Sequence, residues 1–198
     1  ARLNKLRALQ ILNTNPEPAF DNLAQVAAAI ARSPFAAISL VDHDEQWYKA
    51  LHGWTLDKIP NDQSPCALVV KNGSPIIAQD IKLDSQLSSR TFSAQGYNIR
   101  FYAGFPILFE NQTVGALCVA NTKSYQLTDE QTHSLELLAD QVNLNLASRK
   151  HIIAIEDENS ELLIHELGAE MAEEKYRSIF EHVQEGIFQT TQSGKFIS

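Results

Sequence analysis

The chain has 198 residues, 44% of them hydrophobic and 20% charged, with a formal net charge of -8 at pH 7. That length holds one full domain plus an extension, and the composition is that of a globular chain with enough apolar side chains for a core. The acidic balance, without a dense cluster of Lys and Arg, argues against nucleic acid as a partner. No run approaches the roughly 18 apolar residues of a membrane span, and ARLNKLRALQ lacks a signal-peptide core, so a cytoplasmic location without membrane contact is expected.

Leu3, Leu6, Leu9 and Leu12 form a helical stripe that stops at Asn15-Pro16. FDNLAQVAAAIARS predicts a second helix, with Phe20, Leu23, Val26, Ala27 and Ile30 on one side and Pro34 closing it. Two strand-like runs follow, Phe35 to Asp42 and Gln46 to Trp54, joined by the polar link HDE as a hairpin. Trp47 and Tyr48 point to opposite faces of the second run, one towards core and the other towards a pocket.

Ser64, with Pro65 behind it and Asn72-Gly73 at the far end, predicts a short helix over Ser64 to Lys71. PIIAQD reads as a strand ending in Asp80, and KLDSQLSSRTFSAQG as a loop or short helix. NIRFYAGFPI and TVGALCVAN form a second hairpin across FENQ, so two hairpins and a short strand build an antiparallel sheet. Arg100 stands in an otherwise apolar run. A permanently charged side chain needs an acid partner when buried, and Asp42, Asp80 and Asp84 are placed to supply one.

Thr128 caps a long helix whose first residues are acidic. Leu135, Ala139, Val142, Leu146, Ile153, Leu163 and Leu167 recur at three and four residue spacings or their sums, interrupted by Arg149, Glu156 and Ser160, which predicts a coiled coil with polar breaks. The tail stops in what reads as the first hairpin of another domain, so the sequence is expected to be a fragment of a longer protein. Cys66 and Cys118, without companion ligand spacing, read as small core residues, not as a disulfide or zinc site. The six histidines show no metal-ligand spacing, and no metal or cofactor is expected.

In order, SLVDHDEQWYKALHG, NIRFYAGFPI, VGALCVAN and LTDEQTHSLELLADQV resemble the signalling subgroup of GAF domains, over about residues 3 to 149, and YRSIFEHVQEGIFQTTQSGKFIS resembles the start of a PAS domain. The resemblance implies an α+β fold, a six-stranded antiparallel sheet sandwiched by helices with a long C-terminal coiled-coil linker. It divides the chain into a GAF sensor domain (1–149), a signalling linker helix (150–175) and a truncated PAS start (176–198). It further implies a parallel homodimer through the terminal helices, and a small-molecule pocket whose ligand is unknown. The effector downstream would be a histidine kinase, a diguanylate cyclase or phosphodiesterase, or a nucleotide cyclase.

Arg100, Tyr102, Trp47, Cys66 and Asp80 are the pocket candidates; Val142, Leu146, Ile153 and Leu163 are the dimer and linker positions. Arg100 either contacts the ligand or pins the irregular loop. The fragment itself is expected to be a sensor without catalytic residues, or a ligand-free dimerisation module. A bilin photoreceptor would attach its pigment at Cys66, but Leu68 stands where those relatives carry histidine. Reductases of free methionine sulfoxide use a nucleophilic and a resolving thiol, and Cys66 has no evident partner in the sequence. Asn121, Lys123, Asp129 and Glu130 supply residue types of a cyclic-nucleotide signature without its spacing.

Overall fold

A computed structural model describes residues 1–88, 93–94 and 96–182. The chain divides into two compact units, Ala1–His151 and Ile152–Ser198. The expected domain start at 176–198 lies, from residue 183 onward, outside the described residues.

The first unit is an α+β domain. Strands β1 (Phe35–Val41), β2 (Glu45–His52), β3 (Ile59–Pro60), β4 (Ile76–Ala78), β7 (Phe101–Phe109) and β8 (Gln112–Asn121) form a six-stranded sheet in the order β3-β2-β1-β8-β7-β4. Every neighbouring pair is antiparallel. A separate two-stranded ribbon joins β5 (Ser93–Ala94) to β6 (Tyr97–Asn98), within a stretch expected to be loop or short helix. Glu110 and Asn111, both at positive φ, make the tight turn between β7 and β8, the geometry that matches strand twist in a two-residue hairpin.

Period-2 alternation distributes the strand residues between two cores. On one face Ile38, Leu40, Phe101, Phe105, Ile107, Leu117 and Val119 pack with α1 (Arg2–Ala8), α2 (Pro18–Ala31) and the first turns of α4 (Asp129–His182). On the other, Ala37, Ala78, Ala116, Cys118 and Ala120 present small side chains beneath α3 (Pro65–Asn72). Ser64 caps α3 by accepting the Ala67 amide at 2.9 Å, and Gly73 closes it in the left-handed conformation that glycine adopts without strain.

Helix α1 is shorter than its leucine stripe suggests. It ends at Ala8, and Gln10 and Asn13 take positive φ, yet Leu9 and Ile11 stay buried. Leaving the helix frees the Leu9 and Gln10 carbonyls, which accept Arg149 at 2.9 Å each. On α2, Val26 is exposed and not inward-facing as its spacing suggested.

Helix α4 begins with a reciprocal capping box. Thr128 Oγ1 accepts the Gln131 amide at 3.1 Å, and Gln131 Oε1 accepts the Thr128 amide at 3.0 Å. Within the first unit Leu135, Ala139, Val142 and Leu146 are buried in the core. Val142 and Leu146, expected at a dimer seam, therefore serve their own domain. A three and four residue spacing makes one apolar helix face, and a sheet can cover that face as well as a second helix can. The face they leave open carries Leu137 and Leu144, 57% and 61% exposed. In the second unit Ile153 is half-buried, while Ile155, Leu162 and Leu163 are exposed.

Candidate ligand-binding site

The five pocket candidates fall into three places. Arg100 and Asp80 meet at the edge of the sheet, Tyr102 and Cys66 meet beneath α3, and Trp47 lies on the opposite face with the α1, α2 and α4 core.

At the edge, Arg100 Nε donates to Asp80 Oδ1 at 2.8 Å, and its NH2 donates to Asp80 Oδ2. Of the three acids the sequence offered, Asp80 is the partner. The same carboxylate accepts the Ser124 hydroxyl at 2.9 Å and the Lys82 amide at 3.1 Å, while the Arg100 carbonyl accepts the Ile81 amide. One acid thus joins the entry of β7, the short 3-10 turn Ile81–Leu83 and the segment after β8. Chiefly the Arg100 hydrogen bond, helped by Ser124 and the Lys82 amide against partial burial, holds the Asp80 carboxyl far below the usual carboxylate range.

The sign of the resulting pH dependence follows from linkage. The unfolded carboxyl titrates near its ordinary value of about 3.9, and the folded one lower, so the stabilisation is complete above about pH 4 and lost as pH falls through the folded value. Asp80→Asn should flatten this acid limb in urea melts between about pH 2 and pH 5. An acid limb identical to that of the wild-type chain would show that the pair contributes nothing.

Next to this pair lies an open cleft of about 630 Å³, lined among others by Ile77, Gln79, Asp80, Asp84, Ser124 and Tyr125. Polar and apolar side chains both line it, and its volume is within the size range of small-molecule sites. Ser124 and Tyr125 belong to the connection between β8 and α4. Tyr125 also stacks edge-on against Phe101 at 5.4 Å, and its hydroxyl bonds Gln131 of the α4 cap at 3.1 Å. The cleft is thereby walled by the segment that starts the long helix.

Beneath α3 the polar groups are closed off. Tyr102 is fully buried and its hydroxyl donates to Cys66 Sγ at 3.3 Å. Gly104, two residues along the same face, makes room for the ring: a Cβ there would collide with the Tyr102 hydroxyl and with Val69. Gly104→Ala should therefore cost about 1–3 kcal/mol by overpacking, measured by urea denaturation. Burial pushes the Tyr102 and Tyr48 hydroxyls up, and both sense the nearby cysteines. Tyr102 is thus core packing and not the polar wall expected for it.

Trp47 is displaced from its expected role by strand register. Trp47 pairs with Leu40 and Tyr48 with Ser39, so plain alternation puts Tyr48 on the α3 side and Trp47 on the other, which Lys49 shares at the bulge between Tyr48 and Ala50. Lys49 Nζ lies 5.9 Å from the Trp47 ring centre and 5.6 Å from that of Phe20. Its buried ammonium donates to Thr14 Oγ1 and the Asn15 carbonyl at 2.8 Å each and to Glu17 Oε1 at 2.6 Å. Glu17 Oε1 also accepts Arg149 at 2.7 Å. Alternation from Gln46 could have placed Tyr48; nothing in the sequence announced the bulge or the contact between Lys49 and Glu17. Among the described residues no group of three or more His, Cys, Asp or Glu could hold a metal ion, and no helix is long and apolar enough to cross a membrane.

Residues 15–146 match the family model described as GAF domain. A cyclic di-GMP phosphodiesterase of Pseudomonas aeruginosa is 30% identical over 112 residues, covering 56% of this chain and 19% of that protein's length. The blue-light-absorbing form of the PixJ GAF domain of Thermosynechococcus elongatus superposes with a TM-score of 0.59 at 15% identity, over 82% of this chain and 97% of that one. The free methionine-R-sulfoxide reductase of Neisseria meningitidis, in complex with its substrate, gives 0.58 at 14% identity, over 74% and 88%. At such identities the structural likeness shows the fold alone.

Proposed function

Because this chain is a member of the GAF domain family, we propose that it is the regulatory module of a larger signalling protein, binding a small polar molecule in the cleft beside Asp80. The observation that carries this reading is the wall of that cleft: Ser124 and Tyr125 lead straight into the Thr128 and Gln131 cap of α4. A ligand gripping Ser124, Asp84 or Gln79 acts on the start of a helix that runs from Asp129 to His182. Arg100 holds Asp80 in place at this site, the pinning role set against ligand contact.

The module works as a homodimer through α4, with Leu137 and Leu144 on the open face of the first unit and Ile155 and Leu162, again seven residues apart, supplying apolar positions in the second. The effector it controls is a phosphodiesterase, cyclase or kinase domain; the signalling relative of Pseudomonas aeruginosa supports the first of these.

A ligand-free role in dimerisation is favoured by one feature, the filling of the space beneath α3 by Tyr102 and Cys66. A thermal-shift screen of small polar metabolites decides between them. Ligand at 100-fold excess over its Kd should stabilise the chain by about 2.7 kcal/mol, and Ser124→Ala should weaken that shift. No shift across the panel would favour the ligand-free module.

A further inference from the structure

The cleft beside Asp80 carries two exposed apolar side chains on its wall, Ile77 at 39% and Leu83 at 85% exposure. Single apolar groups scattered over a surface are ordinary, but two on one concave wall offer an apolar body somewhere to lie. The charges on the same wall are one-sided. Among the described residues the charged side chains that line the cleft are Asp80 and Asp84.

Asp80 is saturated. Its Oδ1 accepts Arg100 Nε and the Lys82 amide, and its Oδ2 accepts Arg100 NH2 and the Ser124 hydroxyl. These fill the roughly four acceptor positions of a carboxylate, and Arg100 offsets the charge. Asp84 differs. Its Oδ1 accepts the Gln86 and Leu87 amides at 2.9 Å each, which fixes the half-buried side chain. Its Oδ2 accepts no hydrogen bond, and Asp84 joins no ion pair, among the described residues. Ser124 Oγ, its proton given to Asp80, keeps lone pairs for a donor. Tyr125 adds an aromatic ring to the wall, and such a ring attracts a cation over its face.

We infer that the ligand of this cleft is an organic cation, a primary ammonium carried on an apolar body. The inference rests on the cleft beside Asp80 being the ligand site. The ammonium pairs with Asp84 Oδ2, with Ser124 Oγ and the Tyr125 ring as further acceptor and aromatic surface, and the apolar body lies on Ile77 and Leu83. A carboxylate or phosphate is disfavoured, because it would meet the uncompensated charge of Asp84 and find no free cation among the described lining residues.

The test uses probes that share one apolar body and differ in charge: phenylpropylamine, phenylpropanol and phenylpropanoate. Each is titrated into the isotope-labelled chain at neutral pH and low salt and followed by amide NMR. The amine should move the Asp84, Ser124 and Tyr125 resonances with a Kd about tenfold or more below that of the alcohol, the effect of one charge-assisted hydrogen bond. The carboxylate should move them least, and added salt should narrow the gap. Asp84→Asn keeps an Oδ1 for the Gln86 and Leu87 amides but loses the charge, so it should bring the amine to the level of the alcohol. Alcohol or carboxylate binding there as tightly as the amine would overturn the inference while leaving the cleft a ligand site of another class. Cleft resonances unmoved by all three would overturn it together with the site itself. The wild-type comparison decides the matter even where the variant folds poorly.

Discussion

Leu146→Ala should destabilise the first unit by about 2–5 kcal/mol, the range for truncating a fully buried leucine, without altering how the chain associates. Leu146 is 0% exposed and shares the core with Leu135, Ala139 and Val142, so its loss leaves a cavity between α4 and the sheet. Replacing Leu137 and Leu144 together by Asp should do the reverse. Both are exposed in the single chain, where surface changes usually shift stability by about 0.5 kcal/mol or less. They should instead weaken the proposed dimer by tenfold or more, because two carboxylates would then meet their counterparts across the pair. Urea denaturation and sedimentation equilibrium read the two effects separately. A Leu146 variant that dissociated without losing stability would place the seam on the wrong face of α4.

Glu17→Ala should cost about 3 kcal/mol, the lower end for removing one partner of a buried ion pair, and more than Lys49→Met costs. The Lys49 side chain is fully buried against a Glu17 carboxylate that remains one-third exposed. Without Glu17 the ammonium keeps Thr14 and Asn15 as acceptors but has no counter-charge. Without Lys49 the carboxylate still has Arg149 at 2.7 Å and access to water. A methionine also fills the space between Phe20 and Trp47 with an apolar chain, an exchange that is often close to neutral. Equal losses in the two variants, measured by urea denaturation, would show that charge compensation is not what holds this cluster.

The network has a mechanical side. Arg149 donates to Leu9, Gln10 and Glu17, tying α4 to the connection between α1 and α2 close to where the first unit ends. Asn143 Oδ1 accepts the Leu108 amide at 2.8 Å, and Lys150 pairs with Glu110, fastening the same stretch to the β7–β8 hairpin. In the sequence Arg149 looked like a polar break in a seam. It is a bracket between the helix and its own domain.

How far the sequence could be read depends on whether a feature is local. Hairpins and the Ser64 and Thr128 caps are local, and they were legible. Pairing Arg100 with one of three acids was legible as a need, since an arginine cannot shed its charge; the choice of Asp80 required the fold. The face of Trp47 was legible only as opposite to that of Tyr48, because which side of the sheet carries which helices is set by the fold. That Cys66 of α3 and Cys118 of β8 share one buried cluster was not legible either, because the two elements approach only in three dimensions. The α4 faces were misread because apolar spacing specifies that a face is covered, not what covers it.

The proposed role of α4 as the output of the domain is tested most directly in a longer protein that carries this chain together with its proposed effector. Leu137→Asp with Leu144→Asp should leave the first unit folded by circular dichroism while changing the activity of the attached effector severalfold. Unchanged effector activity in that folded variant would contradict it.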